Sequence, residues 1–233
     1  RTPLSLIMAP VEKLKASMAG MSDQDRGYLD VIDRNCSRLG RLINQLLDFS
    51  RFNQETSQSF DFQKGDVALI VRSVCSSFVP TFDKDGIEFT EEYPEEPIIA
   101  DVDMESLTTI VMNLLSNAVK YTNDKVGLKC SCDDDFFTVA VSDNGPGISE
   151  ELRGRIFHPY FRADETSVGT GLGLAILKKL VDALGGNVRV SDAQGGGSIF
   201  AVSLPVHQPE TSLADSVEDS ETSTAADGEI KDE

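Results

Sequence analysis

The stretch Asn113 to Thr122 (NLLSNAVKYT) is the main sequence evidence for the fold of this chain and for a bound ligand, because it places polar side chains on an otherwise apolar helix. Asn113 and Asn117 are four residues apart, so they share one helix face. Two short motifs follow it, Asp143 to Gly147 (DNGPG) and Gly169 to Gly173 (GTGLG), with an aromatic-rich segment between them. In this order the motifs predict a single nucleotide pocket.

The two asparagines allow two interpretations. Their carbonyl oxygens could hold a hydrated Mg²⁺, which prefers oxygen ligands and keeps several waters, while Lys120 on the same face meets phosphate. Alternatively, Asn113 and Asn117 simply form the exposed side of a helix that buries its leucines. Spacing by itself leaves both interpretations open.

Asp143 ends a predicted strand and leads into Gly145 and Gly147. The two glycines permit a tight turn and the close approach of a flat ligand. A carboxylate placed there could accept a hydrogen bond from the exocyclic amine of adenine. The alternative is an ordinary turn, for which Asp-Asn-Gly is a common sequence.

Gly169, Gly171 and Gly173 precede a predicted helix, whose N-terminus and backbone N–H groups favour anions. The pattern does not fit the dinucleotide-binding fingerprint, because no strand directly precedes it. By itself it therefore indicates a phosphate site only weakly.

The bulk composition excludes some classes of function. The chain has 233 residues, 40% of them hydrophobic, and a net charge of -18. This acidity argues against nucleic-acid binding, which needs a basic face. No apolar run approaches the roughly 18 residues of a membrane span. Residues 206–233 hold nine acidic residues against one lysine and are expected to be disordered, as a solvating terminus or as a docking peptide.

The cysteines are expected to be reduced thiols of a cytoplasmic protein. Cys130 and Cys132 lie on the same side of a predicted strand, so a redox pair is the alternative. The two histidines are far from this pair in the sequence and create no zinc-ligand spacing. The other two cysteines, on predicted helices, are Cys36 and Cys75.

Residues 1–54 are predicted to form a helical hairpin. The first helix runs from about Pro3 to Met18, and Ser22 with Asp25 resembles a capping box that starts the second. The second helix, to about Phe52, has apolar residues at steps of three and four. Two helices cannot bury such stripes alone, so a homodimeric four-helix bundle is expected.

Residues 55–65 are predicted to be a linker, and 66–205 an α/β sandwich in which helices cover one face of a mixed sheet, giving an α+β chain overall. Helices are expected at 66–82, 103–120 and 172–184. Strands are expected at 87–93, 97–102, 125–132, 136–142, 187–191 and 198–204.

Taken together, the motifs resemble the catalytic and ATP-binding domain of sensor histidine kinases, in the superfamily shared with gyrase, Hsp90 and MutL ATPases. The resemblance covers about 62–205. The matching segments are the N box at Asn113–Thr122, the G1 box at Asp143–Gly147, the F box at Phe157–Phe161 and the G2 box at Gly169–Gly173.

The first 54 residues resemble the dimerisation domain of the same family. Arg1 to Leu4 (RTPL) is similar to the end of the H box, His-Glu-x-Arg-Thr-Pro-Leu, and Leu46 to Arg51 (LLDFSR) to the second helix. The phosphate-accepting histidine is then expected three residues before Arg1. His158 and His207 do not match its position.

The resemblance implies roles for individual residues. Asp143 would read the adenine amine, and Asn117 would coordinate Mg²⁺ with help from Asn113. Thr2 would orient a water that dephosphorylates the receiver, or would merely cap the helix ahead of Pro3. The remaining implied site residues are Lys120, Tyr121, Gly145, Gly147, Arg162, Gly169, Thr170, Gly171, Leu172, Gly173 and Ser198.

The resemblance also implies transfer of the ATP γ-phosphate to the upstream histidine and then to an aspartate of a response-regulator receiver domain, separate or fused after the acidic tail. A dimer through residues 1–54 on the cytoplasmic side of a bacterial inner membrane is expected, with any anchor lying upstream. The alternatives are a catalytically weak scaffold, a phosphatase-dominant member, or an ATP-driven clamp, although clamps favour glutamate where this chain has Asn113.

Overall fold

The computed structural model describes Ser22, Asp25 and residues 27–33, 35–36, 39–40, 60–162 and 170–208. The predicted first helix, the site residues Thr2 and Gly169, and residues 209–233 lie outside this description. No helix in the described part of the chain is both long and apolar enough to cross a membrane.

The N-terminal helical segment begins where the capping box was predicted. The Ser22 hydroxyl accepts from the Asp25 backbone N–H at 3.2 Å and donates to Asp25 Oδ2 at 2.6 Å. Leu29 and Cys36 of the predicted stripe are buried. Ile32 and Leu39, on the same stripe, are 42% and 48% exposed in the single chain.

Local signals set the limits of the long helices in the remainder of the structure. Asp66 caps α1 by accepting from the Ala68 N–H at 2.9 Å, and α1 ends at Gly86 in the left-handed region. Asp103 caps α2 through Ser106 N at 2.8 Å. The helices are α1 (Val67–Asp85), α2 (Met104–Tyr121), α3 (Glu150–Arg153) and α4 (Gly173–Ala183).

The strands form two sheets. The larger has the order β2-β4-β5-β7-β6, with β2 and β4 parallel and the other neighbours antiparallel. The smaller pairs β1 with β3. The strands are β1 (Phe62–Asp66), β2 (Glu88–Glu92), β3 (Ile99–Asp103), β4 (Lys125–Cys132), β5 (Phe136–Asp143), β6 (Asn187–Asp192) and β7 (Ser198–Pro205).

One core lies between the larger sheet and its helices. Burial alternates along β5, so that Phe137, Val139 and Val141 face inward. Leu114 and Leu177, from α2 and α4, belong to the same buried cluster. The mixed sheet covered on one face by helices confirms the predicted α+β fold.

The linker prediction for 55–65 was wrong at its end, because β1 starts at Phe62. Polar residues dominate this strand, and its pairing comes from a distant partner: Gly65 faces Ala100 of β3. Asp61 N also donates to Asp103 Oδ2 at 2.9 Å. A two-residue-period pattern in so short a segment could not reveal this pairing.

The tail prediction was wrong for its first residues. Val206 is 7% exposed and belongs to the core. Its N–H donates to Asp135 O at 2.8 Å and its carbonyl accepts from Asp101 N at 2.8 Å. The chain after β7 therefore joins the larger sheet to the smaller one. The short helix α3 was also not predicted.

Candidate nucleotide-binding site

A cavity of about 340 Å³ opens between α2, the turn after β5, the segment before residue 163, the start of α4 and the start of β7. It brings together six of the predicted site residues from four separate stretches of the sequence. Its wall is formed by Asn117, Tyr121, Asp143, Pro146, Gly147, Ile148, Ile156, Phe161, Arg162, Leu174, Ser198 and Phe200.

Asp143 is the last residue of β5 and is only 6% exposed. Its Oδ1 accepts from the Gly145 N–H at 2.8 Å. Burial raises the pKa of this carboxyl, and hydrogen bonds from the backbone N–H groups of Gly145 and Ser198 oppose the rise. The result is a largely buried acceptor group in the cavity wall.

The turn after Asp143 needs glycine for steric reasons. A Cβ on Gly145 would lie 2.0 Å from the carbonyl oxygen of Tyr121. Gly197, before β7, has φ 96°, and its Cβ would lie 2.0 Å from the carbonyl oxygen of Asp143. The turn is therefore packed tightly between the end of α2 and the start of β7, which fixes the cavity floor.

The end of α2 supplies one side of the cavity. Asn117 and Tyr121 line it, whereas Lys120 does not. Lys120 Nζ donates to the Tyr121 hydroxyl at 2.7 Å and lies 4.5 Å from the centre of the Tyr121 ring. The ammonium group is thus held next to a cavity residue.

Asn113 lies one turn further back on α2, outside the cavity wall. Its Nδ2 donates to Thr109 O at 2.8 Å. A Cβ on Gly173, the first residue of α4, would lie 2.7 Å from Asn113 Oδ1. The carbonyl oxygen of Asn113 therefore lies against the N-terminus of α4, which explains why this helix begins with glycine.

Gly171 packs against the backbone of Tyr160 and Phe161 rather than lining the cavity. It has φ 72°, and a Cβ there would lie 2.7 Å from the Tyr160 carbonyl carbon. Tyr160 N donates to Gly171 O at 3.0 Å, and Tyr160 has φ 63° itself. Thr170 Oγ1 accepts from Leu172 N at 3.3 Å. Leu172 is 2% exposed and packs in the core, so its side chain does not line the cavity.

The sequence did not identify most of the apolar wall. Ile148, Ile156, Leu174 and Phe200 come from four elements, and no spacing connects them. Phe161 was foreseen only as part of an aromatic-rich segment. Asn144, the second residue of the DNGPG motif, was assigned no role from the sequence.

The comparisons with known protein families match both parts of the chain. Residues 1–55 match the family described as "His Kinase A (phospho-acceptor) domain". Residues 102–208 match "Histidine kinase-, DNA gyrase B-, and HSP90-like ATPase". Together the two matches span well over half of the chain.

Individual relatives agree with the family matches. The chain is 35% identical over 217 residues to sensor histidine kinase TmoS of Ectopseudomonas mendocina, covering 90% of this chain and 22% of that protein. It is 30% identical over 228 residues to the autoinducer 2 sensor kinase/phosphatase LuxQ of Vibrio parahaemolyticus, covering 92% and 26%. The chain thus spans about a quarter or less of the length of these relatives.

A solved structure shares the fold over most of the chain. Full-length ShkA in complex with AMPPNP has a TM-score of 0.74 and 30% sequence identity, with 88% of this chain and 43% of that chain covered. The two family matches occur in the order that the sequence motifs predicted, and the fold agrees with them. The chain therefore belongs to the sensor histidine kinase family.

Proposed function

We propose that this chain binds Mg-ATP in the cavity beside Asp143 and transfers the γ-phosphoryl group to a histidine just upstream of Arg1, for relay to a response-regulator aspartate. The observation that supports this best is the buried Asp143 carboxylate at the base of an apolar cavity of about 340 Å³. Apolar pockets with a few converging polar groups are typical small-molecule sites.

Adenine is the part of ATP that suits the end of the cavity beside Asp143. Ile148, Ile156 and Phe200 offer apolar surfaces to a flat ring. Asp143 offers an acceptor to the exocyclic amine, and Ser198 provides a hydroxyl beside it. Because the carboxylate is desolvated, a donor that reaches it gains more than a donor at the surface.

The residues present fit a hydrated Mg²⁺ held by oxygen. The described part of the chain contains no cluster of three or more His, Cys, Asp or Glu residues suited to a metal. Mg²⁺ needs no such cluster when phosphate oxygens and waters complete its shell. Asn117, from the cavity wall, would coordinate the ion, and Asn113 would assist. When bound, Mg²⁺ would neutralise phosphate charge.

The phosphate end of the ligand would lie towards the N-terminus of α4, where backbone N–H groups and the helix dipole favour anions. Gly169 to Gly173 would shape this end, Arg162 would reach it from the cavity wall, and Lys120 would approach from α2. In such transfers a protein mainly positions the partners and neutralises charge. The new N–P bond forms as the bond to the leaving ADP oxygen breaks.

The N-terminal helices would provide the dimer. The family match over residues 1–55 supports this, as do Ile32 and Leu39, which are exposed on an apolar stripe in the single chain. Within that domain Thr2 would orient water during dephosphorylation of the receiver. Relatives include hybrid signal transduction histidine kinase D of Dictyostelium discoideum, which is 32% identical over 217 residues. A receiver domain, fused or separate, is the proposed phosphate acceptor.

The decisive experiment uses the chain extended upstream by about two helical turns, so that it contains the acceptor histidine. Incubation with γ-labelled Mg-ATP should give an acid-labile, alkali-stable label. Asp143→Ala should abolish both the label and nucleotide binding. Asp83→Ala, which changes an exposed aspartate of α1, is the matched control and should leave both intact. Equal labelling of the Asp143→Ala variant would contradict the proposed site, and an unlabelled chain that still binds ATP would contradict the proposed transfer.

A further inference from the structure

Asn144 forms several hydrogen bonds beside the candidate site, yet it does not line the cavity. Four donors of the loop that follows α2 lie within hydrogen-bond distance of its side-chain carbonyl Oδ1, and the Thr122 hydroxyl shares its one proton between this oxygen and the Lys125 carbonyl oxygen at 2.7 Å. The donors are Thr122 Oγ1 at 2.8 Å, Asn123 N at 3.1 Å, Asp124 N at 3.2 Å and Lys125 N at 3.0 Å. One amide oxygen therefore organises the whole connection between α2 and β4.

The remaining polar groups of Asn144 bind the same loop. Its Nδ2 donates to Asp124 Oδ1 at 2.7 Å, and its backbone carbonyl accepts from Asn123 Nδ2 at 2.6 Å. Its backbone N–H donates to Lys125 O at 3.3 Å. Three of the four donors to Oδ1 are backbone N–H groups, which can only donate. The oxygen of the Asn144 amide must therefore face the loop, and the nitrogen must face Asp124.

Through Asn144 this loop links two of the segments that line the cavity, the end of α2 and the turn after β5. Asn117 and Tyr121 stand on α2 immediately before the loop, and Asp143 and Gly145 flank Asn144 on the other side. Gly145 packs so closely on the Tyr121 carbonyl oxygen that no side chain fits between them. A shift of the loop would therefore change the distance between Asp143 and the end of α2.

From this arrangement we infer that Asn144 is a positioning residue, which sets nucleotide affinity by locking the end of α2 onto the turn after β5. The inference rests on the proposed function, since it concerns the same cavity. Asn144 acts through Asp143, Asn117 and Tyr121 and makes no contact with the ligand itself.

The hydrogen-bond chemistry predicts a specific order among variants. Asn144→Ala removes all the side-chain bonds and leaves four donors without this acceptor. Asn144→Asp keeps an acceptor for the four donors but places a carboxylate against Asp124. Adding Asp124→Asn restores a donor–acceptor pair with the roles exchanged. Asp124→Asn alone retains an acceptor for Asn144 Nδ2 and should be nearly neutral.

The test measures the dissociation constant of the 233-residue chain for Mg²⁺ with a non-hydrolysable ATP analogue, by calorimetry well below the thermal unfolding midpoint. We expect about tenfold weaker binding for Asn144→Ala, since a connected set of hydrogen bonds is lost, of which the one from the Thr122 hydroxyl is partly buried. Asn144→Asp should weaken binding by about threefold or more, and the Asn144→Asp/Asp124→Asn pair should recover to within about twofold. Asn187→Asp, the same change at an exposed position at the start of β6, should have no effect.

A thermal melt without nucleotide separates positioning from mere stabilisation. If Asn144→Ala lowers the unfolding midpoint while the folded protein keeps its affinity, the inference is overturned although the proposed function stands. Failure of the exchanged pair to recover affinity also overturns it. If the folded wild-type chain binds no nucleotide, and the Asn144→Asp/Asp124→Asn variant recovers only the unfolding midpoint, both the proposed function and the positioning role of Asn144 are wrong. Should Asn144→Ala not fold, the Asn144→Asp and exchanged-pair variants decide the question.

Discussion

Gly145 lies directly against the end of α2, because a Cβ on this glycine would come within 2.0 Å of the Tyr121 carbonyl oxygen and 2.9 Å of Asp143 Oδ1. The contact joins the turn after β5 to the helix that carries both predicted metal ligands. It explains in steric terms why the DNGPG motif tolerates no side chain at its third position.

Gly145→Ala should therefore move the turn or the helix end. We expect a loss of about 1–3 kcal/mol in unfolding free energy, as for other overpacked sites, and loss of measurable nucleotide binding. Urea denaturation and calorimetric titration test the two effects. Gly154→Ala is the matched control, because a Cβ there meets open space, and it should change neither quantity appreciably. A fully active Gly145→Ala protein would disprove the steric argument.

The raised pKa of Asp143 predicts a pH dependence with opposite signs for stability and binding. The folded protein takes up this proton at a higher pH than the unfolded chain, for which the ordinary value is 3.8. Ionised Asp143 therefore costs stability at neutral pH, and this cost disappears as the pH falls through the raised pKa.

Nucleotide affinity should instead fall as the pH is lowered through the raised pKa of Asp143, because a protonated carboxyl offers fewer acceptor positions to the adenine amine. Titrations at a series of acidic pH values, with unfolding followed separately, would show the two trends. Asp143→Asn should bind weakly and lack this pH dependence. An identical pH profile for wild type and Asp143→Asn would rule out Asp143 as the titrating group.

The cysteines should differ in reactivity with alkylating reagents. Burial raises the pKa of Cys75 to about 11 and that of Cys130 to about 12, so little thiolate is available at neutral pH. Cys132 is exposed. Peptide mapping after brief iodoacetamide treatment should find Cys132 modified well before Cys75 and Cys130. Equal rates at Cys130 and Cys132 would revive the alternative of a redox pair, which the burial of Cys130 opposes.

Arg153 on α3 links the cavity-lining loop before α3 to the end of β6. Its Nη2 donates to Asp192 Oδ1 at 2.5 Å, and its Nε donates to the carbonyl of the cavity residue Ile148 at 3.2 Å. Arg153→Gln should weaken nucleotide binding a few-fold while costing less than about 1 kcal/mol in unfolding free energy, since the carboxylate partner is exposed.

Lys129→Gln offers a comparison for Arg153, because it removes an exposed ion pair with Glu92 that lies on β4 and β2, away from the cavity. Calorimetry should show unchanged nucleotide affinity in this control. Urea denaturation of both variants gives the change in unfolding free energy. If both variants left affinity unchanged, Arg153 would have only the small stabilising role of a surface ion pair.

Val206 should prove part of the folded domain although it lies in the acidic C-terminal region of the sequence. Val206→Ala is expected to cost about 1 kcal/mol or more in unfolding free energy, because its side chain is buried. Val79→Ala makes the same change at a side chain that is 46% exposed and should cost less. Chemical denaturation of both variants gives the comparison, and equal costs would contradict a core role for Val206.

Local sequence determined the three long helices of residues 60–208, the hairpins and the α+β fold class. Asp66 and Asp103 cap α1 and α2 within one or two residues of the predicted starts, and β6 and β7 pair around the glycines as expected. These features depend on side chains and backbone groups only a few residues apart. The sequence motifs likewise contain four of the predicted site residues in the cavity wall, because each motif keeps its site residues close together in the chain, and the family resemblance added Arg162 and Ser198.

Tertiary structure alone decided the remainder, because the interactions concerned join residues far apart in the chain. β1 exists through pairing with β3, and Val206 joins the core while its backbone bonds to Asp101 and Asp135. The apolar wall of the cavity gathers Ile148, Ile156, Leu174 and Phe200. The hydrogen bonds of Asn144 to residues 122–125 likewise join residues that are far apart in the chain. No local period encodes such contacts, since each depends on where the whole sheet places its neighbours.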